Sequence, residues 1–249
     1  MFAPERPPVW RMAPMPAMRD EDLLAYLFGE SGEPIVAQCA GWLTASDRFR
    51  VFLLANRDKV RKKARTITQS ETMRDLQLEL DTAYHLTQDR RYLLEYEKYL
   101  AGKTRGPDFT VTVKDKTSFN VEVKRLRSAG EFAQWANAIC DKLTQMPPGM
   151  PNILLVGTEQ PERKSIEAAQ AMARLRRLAE AKDEQVFTSR GLPDARAYIR
   201  ESARLSGVLQ HSQWSDSAGG QATLWLNPQA KHPLPTAEQK ALLRCLAGG

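Results

Sequence analysis

Three cysteines in 249 residues, Cys39, Cys140 and Cys245, are too few and too scattered for a disulfide scaffold, and none has the CxxC spacing of a zinc ribbon. A reducing cytoplasm is the expected setting. Cys140, within a predicted helix beside apolar residues, reads as packing rather than as a nucleophile. The three histidines, His85, His211 and His232, share no metal-ligand spacing. Neither a GxSxG nucleophile elbow nor a P-loop occurs, and there is no internal repeat. No segment approaches the roughly 20 apolar residues of a bilayer span. Met1 to Met18 carries five prolines in place of a continuous apolar core, which excludes a secretory signal from the reading and predicts a flexible tail. The expectation is a soluble protein with no membrane partner.

What is present is length and positive charge. The chain is long enough to bury a substantial core as one large domain with an extension. Lys and Arg exceed Asp and Glu by 36 to 30, a net charge of +6 that points mildly to an anionic partner. The basic residues are clustered. Arg57, Lys59, Arg61, Lys62, Lys63 and Arg65 crowd one helical end, where they form either a solvated surface complementing the helix dipole or a phosphate-contacting patch. Lys103 and Arg105 lie in a Gly-flanked loop, and Arg125 and Arg127 follow the motif described below. With Arg61, Lys62 and Lys63, these are the candidate nucleic-acid contacts.

Hydrophobic periodicity divides the chain into a helical N-terminal extension over 19–66 and an α/β domain over 67–249, with a core over 70–158 and a C-terminal elaboration over 159–249. Helices are predicted at 20–28 and across 34–65. Ser70 reads as the N-cap of a helix running to Gln88, with a narrow buried stripe through Met73, Leu76, Leu80, Ala83 and Thr87. Glu79 borders that stripe and needs a partner, such as Arg74. Tyr92 to Leu100 alternates with aromatic enrichment and reads as a strand. A helix at 130–145 precedes the uninterrupted apolar run 152–157, which reads as an interior strand reached by a crossover. Further helices are expected at 161–184, 194–204 and 237–246, and strands at 207–214 and 221–226. The fold class is therefore α/β (α+β), with a central mixed sheet of about four to six strands flanked by helices.

The informative stretch is 107–124, Pro107-Asp108-Phe109-Thr110-Val111-Thr112-Val113, a polar turn, then Phe119-Asn120-Val121-Glu122-Val123-Lys124. Both arms alternate polar with apolar, the pattern of an antiparallel hairpin with Asp108, Glu122 and Lys124 on its polar face. With the turn centred at 115–117, Asp108 is expected opposite Lys124 and Glu122 opposite Thr110. Phosphodiester hydrolysis requires a divalent cation, an activated water and stabilisation of charge on the phosphoryl oxygens. Asp108, Glu122 and the carbonyl of Val123 could hold Mg²⁺, Lys124 could orient the water, and Glu79 could complete the site from its helix.

Pro107-Asp108, then Glu122-Val123-Lys124 on the next strand, preceded by helix-borne Glu79, resembles the PD-(D/E)XK, or restriction-endonuclease-like, nuclease superfamily. The resemblance covers about 70–158. It implies a core of helix, three strands, helix and strand, and a Mg²⁺-dependent nuclease acting on DNA or RNA, in which Mn²⁺ may substitute. The alternatives left open are a catalytically silent nuclease-like domain that binds nucleic acid or protein, and a solvated cross-strand Asp–Lys pair worth about 0.2 to 1 kcal/mol.

Overall fold

The computed structural model describes residues 18–29, 33–98, 106–114, 117–127, 131–158, 167–212 and 221–246. The expected tail lies outside them except for Met18, as do Lys103, Arg105 and the hairpin tip at 115–116. The described elements run α1 (Asp20–Phe28), α2 (Glu33–Ala45), α3 (Asp47–Ala55), α4 (Arg57–Thr66), α5 (Ser70–Gln88), β1 (Tyr92–Tyr96), β2 (Phe109–Val113), β3 (Thr117–Leu126), α6 (Phe132–Leu143) and β4 (Asn152–Thr158). Then come α7 (Ala168–Glu180), α8 (Glu184–Thr188), α9 (Ala195–Ser202), β5 (Leu205–Ser212), β6 (Gln221–Leu226) and α10 (Thr236–Leu246).

The fold is α/β, with a six-stranded mixed sheet in the order β1-β2-β3-β4-β5-β6. β1, β2 and β3 form an antiparallel meander, β3, β4 and β5 are parallel, and β6 returns antiparallel to β5. The crossover through α6 follows from the parallel β3–β4 pair, which a tight turn could not join. β4 is buried along its whole length because both of its faces are covered.

Each face of the sheet has its own core. On one face Phe109, Val111, Val121, Val123, Ile153, Leu155 and Leu209 pack with α1 to α5 and α10. On the other, Leu154, Val156 and Val208 pack with α6 to α9. The N-terminal helices therefore share a core with the sheet. Phe52 of α3, for example, meets Tyr96 and Phe109 edge-on and tilted at 6.0 and 6.4 Å.

Three local expectations are corrected. The helical region 34–65 is three helices. Ser46 starts α3 by accepting a hydrogen bond from the Phe49 N–H at 3.2 Å, and Asn56 ends it by donating its side-chain amide to the Phe52 carbonyl at 2.8 Å. Ser70 is the first helical residue of α5 rather than its cap, since Gln69 holds that position. The buried stripe of α5 is not narrow: every residue from Leu76 to Ala83 is buried, because the helix is enclosed between the sheet and the N-terminal helices. Gly157 of β4 permits this enclosure. A Cβ there would stand 2.5 Å from Leu78 Cδ2, so the strand can lie directly under α5.

Candidate active site

The β2–β3 ladder ends where Phe109 faces Val121. One step beyond, Asp108 comes beside Glu122, so the expected register is corrected by two residues. Since side chains alternate with period two, an even slip preserves the faces and changes only the neighbours. The ladder is closed by side chains. Asp108 Oδ2 accepts from the Val123 N–H at 2.8 Å, and Glu122 Oε2 accepts from the Asp108 N–H at 3.2 Å. Both carboxylates are buried beside the middle of β3, the strand at which the antiparallel and parallel halves of the sheet meet.

Glu79 reaches the same region from α5. Its carboxylate accepts from the Tyr96 hydroxyl at 2.9 Å and from Lys63 Nζ at 2.8 and 2.6 Å. Lys63, on α4, also donates to Glu97 at 3.1 Å. The expected partner Arg74 is thus replaced by Lys63. On the opposite face of the sheet, the Glu122 carboxylate is held by Lys142 of α6, and both side chains are buried.

These groups influence one another's proton affinity. Burial pushes the Glu79 carboxyl up to about 7, the charge of Asp108 adds to the rise, and Lys63 and Tyr96 oppose it. Burial and Asp108 likewise raise Glu122 against the pull of Lys142. Burial alone would lower Lys63, but Glu79 and Asp108 lift it above the ordinary lysine value. Asp108 is therefore the electrostatic link between Glu79 and Glu122. Two buried acids whose proton affinity rises beside the same carboxylate mark a candidate functional site.

The remaining predicted residues are placed as follows. The Lys124 ammonium contacts Asp141 of α6 at 3.1 Å, and its side chain is 40% exposed. Val123 gives its N–H to Asp108 and buries its side chain in the α5-side core. Arg125 is not a surface cation. Its side chain is 1% exposed, and it donates to Asp75 at 2.8 Å and to the Glu71 carboxylate at 2.8 Å. Arg127 is exposed, 3.5 Å from Asp75, and Lys62 is exposed. The Arg61 guanidinium stacks 4.0 Å from the Tyr26 ring centroid, so it too has a structural contact.

Lys142 was missed in the sequence, although a signal for it exists. It lies three residues after Ile139 and seven after Trp135, on the apolar stripe of α6, where a lysine needs a buried anion. Lys63 was read as a phosphate contact because its partners, Glu79 and Glu97, are distant in sequence.

An all-oxygen set of acidic side chains suits a hard divalent cation. The ligand atoms of Glu79, Asp108 and Glu122 are not among those that gather within 4.8 Å of one another, a condition met among the described residues by Asp81, His85 and His211. No protein-family model, curated protein or solved structure matches the chain.

Proposed function

We propose that the chain is a Mg²⁺-dependent phosphodiesterase acting on nucleic acid, with Asp108 and Glu122 as the ion-holding pair. The observation that carries this reading is the place of Asp108 between two buried glutamates, Glu122 on the α6 side of the sheet and Glu79 on the α5 side, where burial and Asp108 raise the proton affinity of both. When bound, Mg²⁺ would supply charge neutralisation at the phosphoryl oxygens and polarisation of a water.

The chain's own residues have distinct tasks. Lys63 and Lys142 balance the buried carboxylates when no dication is present. Glu79, with its carboxyl pushed up to about 7, can accept a proton near neutral pH. Tyr96 fixes its orientation from β1. Lys124, at the solvent edge, is available to a phosphate only by leaving Asp141. The net charge of +6 and the exposed Lys62 and Arg127 support a polyanionic substrate.

The paired state of Lys124, Lys142 and Lys63 favours a second reading, in which the acids form a structural ion-pair network and the domain binds nucleic acid without cutting it. One assay separates the two. Plasmid, linear duplex, single-stranded DNA and RNA are incubated with Mg²⁺ or Mn²⁺ and either wild type or Asp108→Asn. The nuclease reading expects cation-dependent cleavage that falls at least about 100-fold in the variant, the scale of losing one electrostatic group in an active site. Cleavage that is equal in both proteins would refute it. Salt-sensitive binding that ignores Mg²⁺ and survives Asp108→Asn would establish the second reading.

A further inference from the structure

A second polar cluster lies deeper along α5. Asp81 and His85, four residues apart, present their side chains on one face of the helix towards β5, where His211 points back at them. His211 is fully buried and Asp81 nearly so. Neither ring nitrogen of His211 has a hydrogen-bond partner, nor has Asp81 Oδ2. Buried polar atoms without partners cost free energy that native folds generally avoid.

The spacing within the cluster accounts for those atoms. His85 Nε2 lies 3.6 Å from Asp81 Oδ1, and His211 Nδ1 lies 3.6 Å from Asp81 Oδ2. Both separations are too long for hydrogen bonds. They are close to the roughly 3.3 Å between two ligand atoms held about 2.0–2.1 Å from one tetrahedral ion. One ligand atom from each of the three residues lies within 4.8 Å of those of the other two. The tautomer of His85 is also set. Its Nδ1 is 2.8 Å from the Cys245 carbonyl, which can only accept, so Nδ1 carries a proton, and Nε2, the nitrogen turned towards Asp81, is the one left to ligate an ion. His85 also lines a surface hollow of about 740 Å³ beside Gln88, Arg91, Arg244 and Cys245, so one member of the cluster borders solvent.

We propose that Asp81, His85 and His211 form a binding site for one divalent transition-metal ion of the zinc type, clamping α5 to β5, with α10 as the outer support through the Cys245 carbonyl. Two imidazoles and a carboxylate select such an ion over Mg²⁺, which takes oxygen ligands and keeps its waters. The site is separate from the Asp108–Glu122 pair and does not depend on its function.

The test uses the full chain, stripped with chelator and titrated with Co²⁺ as a spectroscopic stand-in for Zn²⁺. Wild type and Asp108→Asn are each expected to take up one Co²⁺ with the visible absorption of a low-coordinate, imidazole-ligated ion. Zn²⁺ should displace it and Mg²⁺ should not. His85→Gln and His211→Gln are each expected to weaken uptake by more than about 100-fold, above the range for losing only a second-shell partner. If His211→Gln does not fold, the partly exposed His85→Gln decides. Absence of Co²⁺ uptake by the wild type, or unchanged affinity in His85→Gln, would overturn the proposal. Loss of uptake in Asp108→Asn alone would overturn it equally, by placing the ion at the other cluster.

Discussion

Helix α5 carries two buried polar clusters built on different terms. At Glu79 the acid is matched: Lys63 and Tyr96 hold it, and beyond it Asp108 and Glu122 spend oxygens on backbone amides or on Lys142. At Asp81 the spacing is wider, and polar atoms of Asp81 and His211 have no partner. The matched cluster can exist without an ion because ammonium groups balance its charge. The unmatched one has two imidazoles in place of ammonium groups, and their ring nitrogens can serve as metal ligands. Nearly complete burial makes both costly to leave unsatisfied, so how each is satisfied indicates which cation each would take.

Removing a cation from the matched cluster should give the largest effect. Lys142→Met leaves Glu122 buried without its counterion and is expected to cost about 3–5 kcal/mol at neutral pH by urea unfolding. Adding Glu122→Gln to that variant should recover most of the loss. A cost below 1 kcal/mol for the single variant would break the distinction between the clusters.

The next effect is a pH dependence. The folded carboxyl of Glu79 lies near 7, above its ordinary 4.5, so the folded state binds that proton more tightly. Its contribution to stability is complete below pH 4.5 and is lost as pH rises through about 7, a change on the order of a few kcal/mol. Glu122 adds in the same direction. In Glu79→Gln, urea unfolding at a series of pH values should show a visibly shallower decline over that window. An unchanged slope would remove Glu79 as the titrating group.

Gly157→Ala sharpens the comparison mechanically, because it pushes Leu78 and therefore the segment of α5 that bears both Glu79 and Asp81. It should destabilise by about 1–3 kcal/mol, the usual cost of overpacking, as read from the thermal midpoint. The smallest effect belongs to Lys124→Met. Its half-exposed pair with Asp141 is worth at most about 1 kcal/mol, so unfolding should barely change, in contrast with Lys142→Met.

Much of the architecture was legible in the sequence. Alternation at 107–113 and 119–124, the apolar run at 152–157 and helical spacing at 130–145 depend on local periodicity, which the strands at 109–113, 117–126 and 152–158 and the helix at 132–143 reproduce. The limits of α5 were read almost correctly, but not its enclosure, because burial on all sides comes from neighbours brought in by the fold. The face shared by Asp108 and Glu122 was readable since parity survives a slip of two residues. The register was not, because it is set by the whole ladder and the side chains that close it.

The sequence by itself therefore determined the order of elements, the sidedness of the hairpin and the presence of acids and lysines to work with. Tertiary structure decided who partners whom. Lys142 rather than Lys124 takes Glu122, Lys63 takes Glu79, and Arg125 is committed to Glu71 and Asp75. His85 and His211 have no motif spacing, yet their rings stand 5.6 Å apart. The physical reason is that periodicity is a property of neighbouring residues along the chain, whereas pairing of charges and lone pairs depends on distance in space, which only the packing of α5 against the sheet sets.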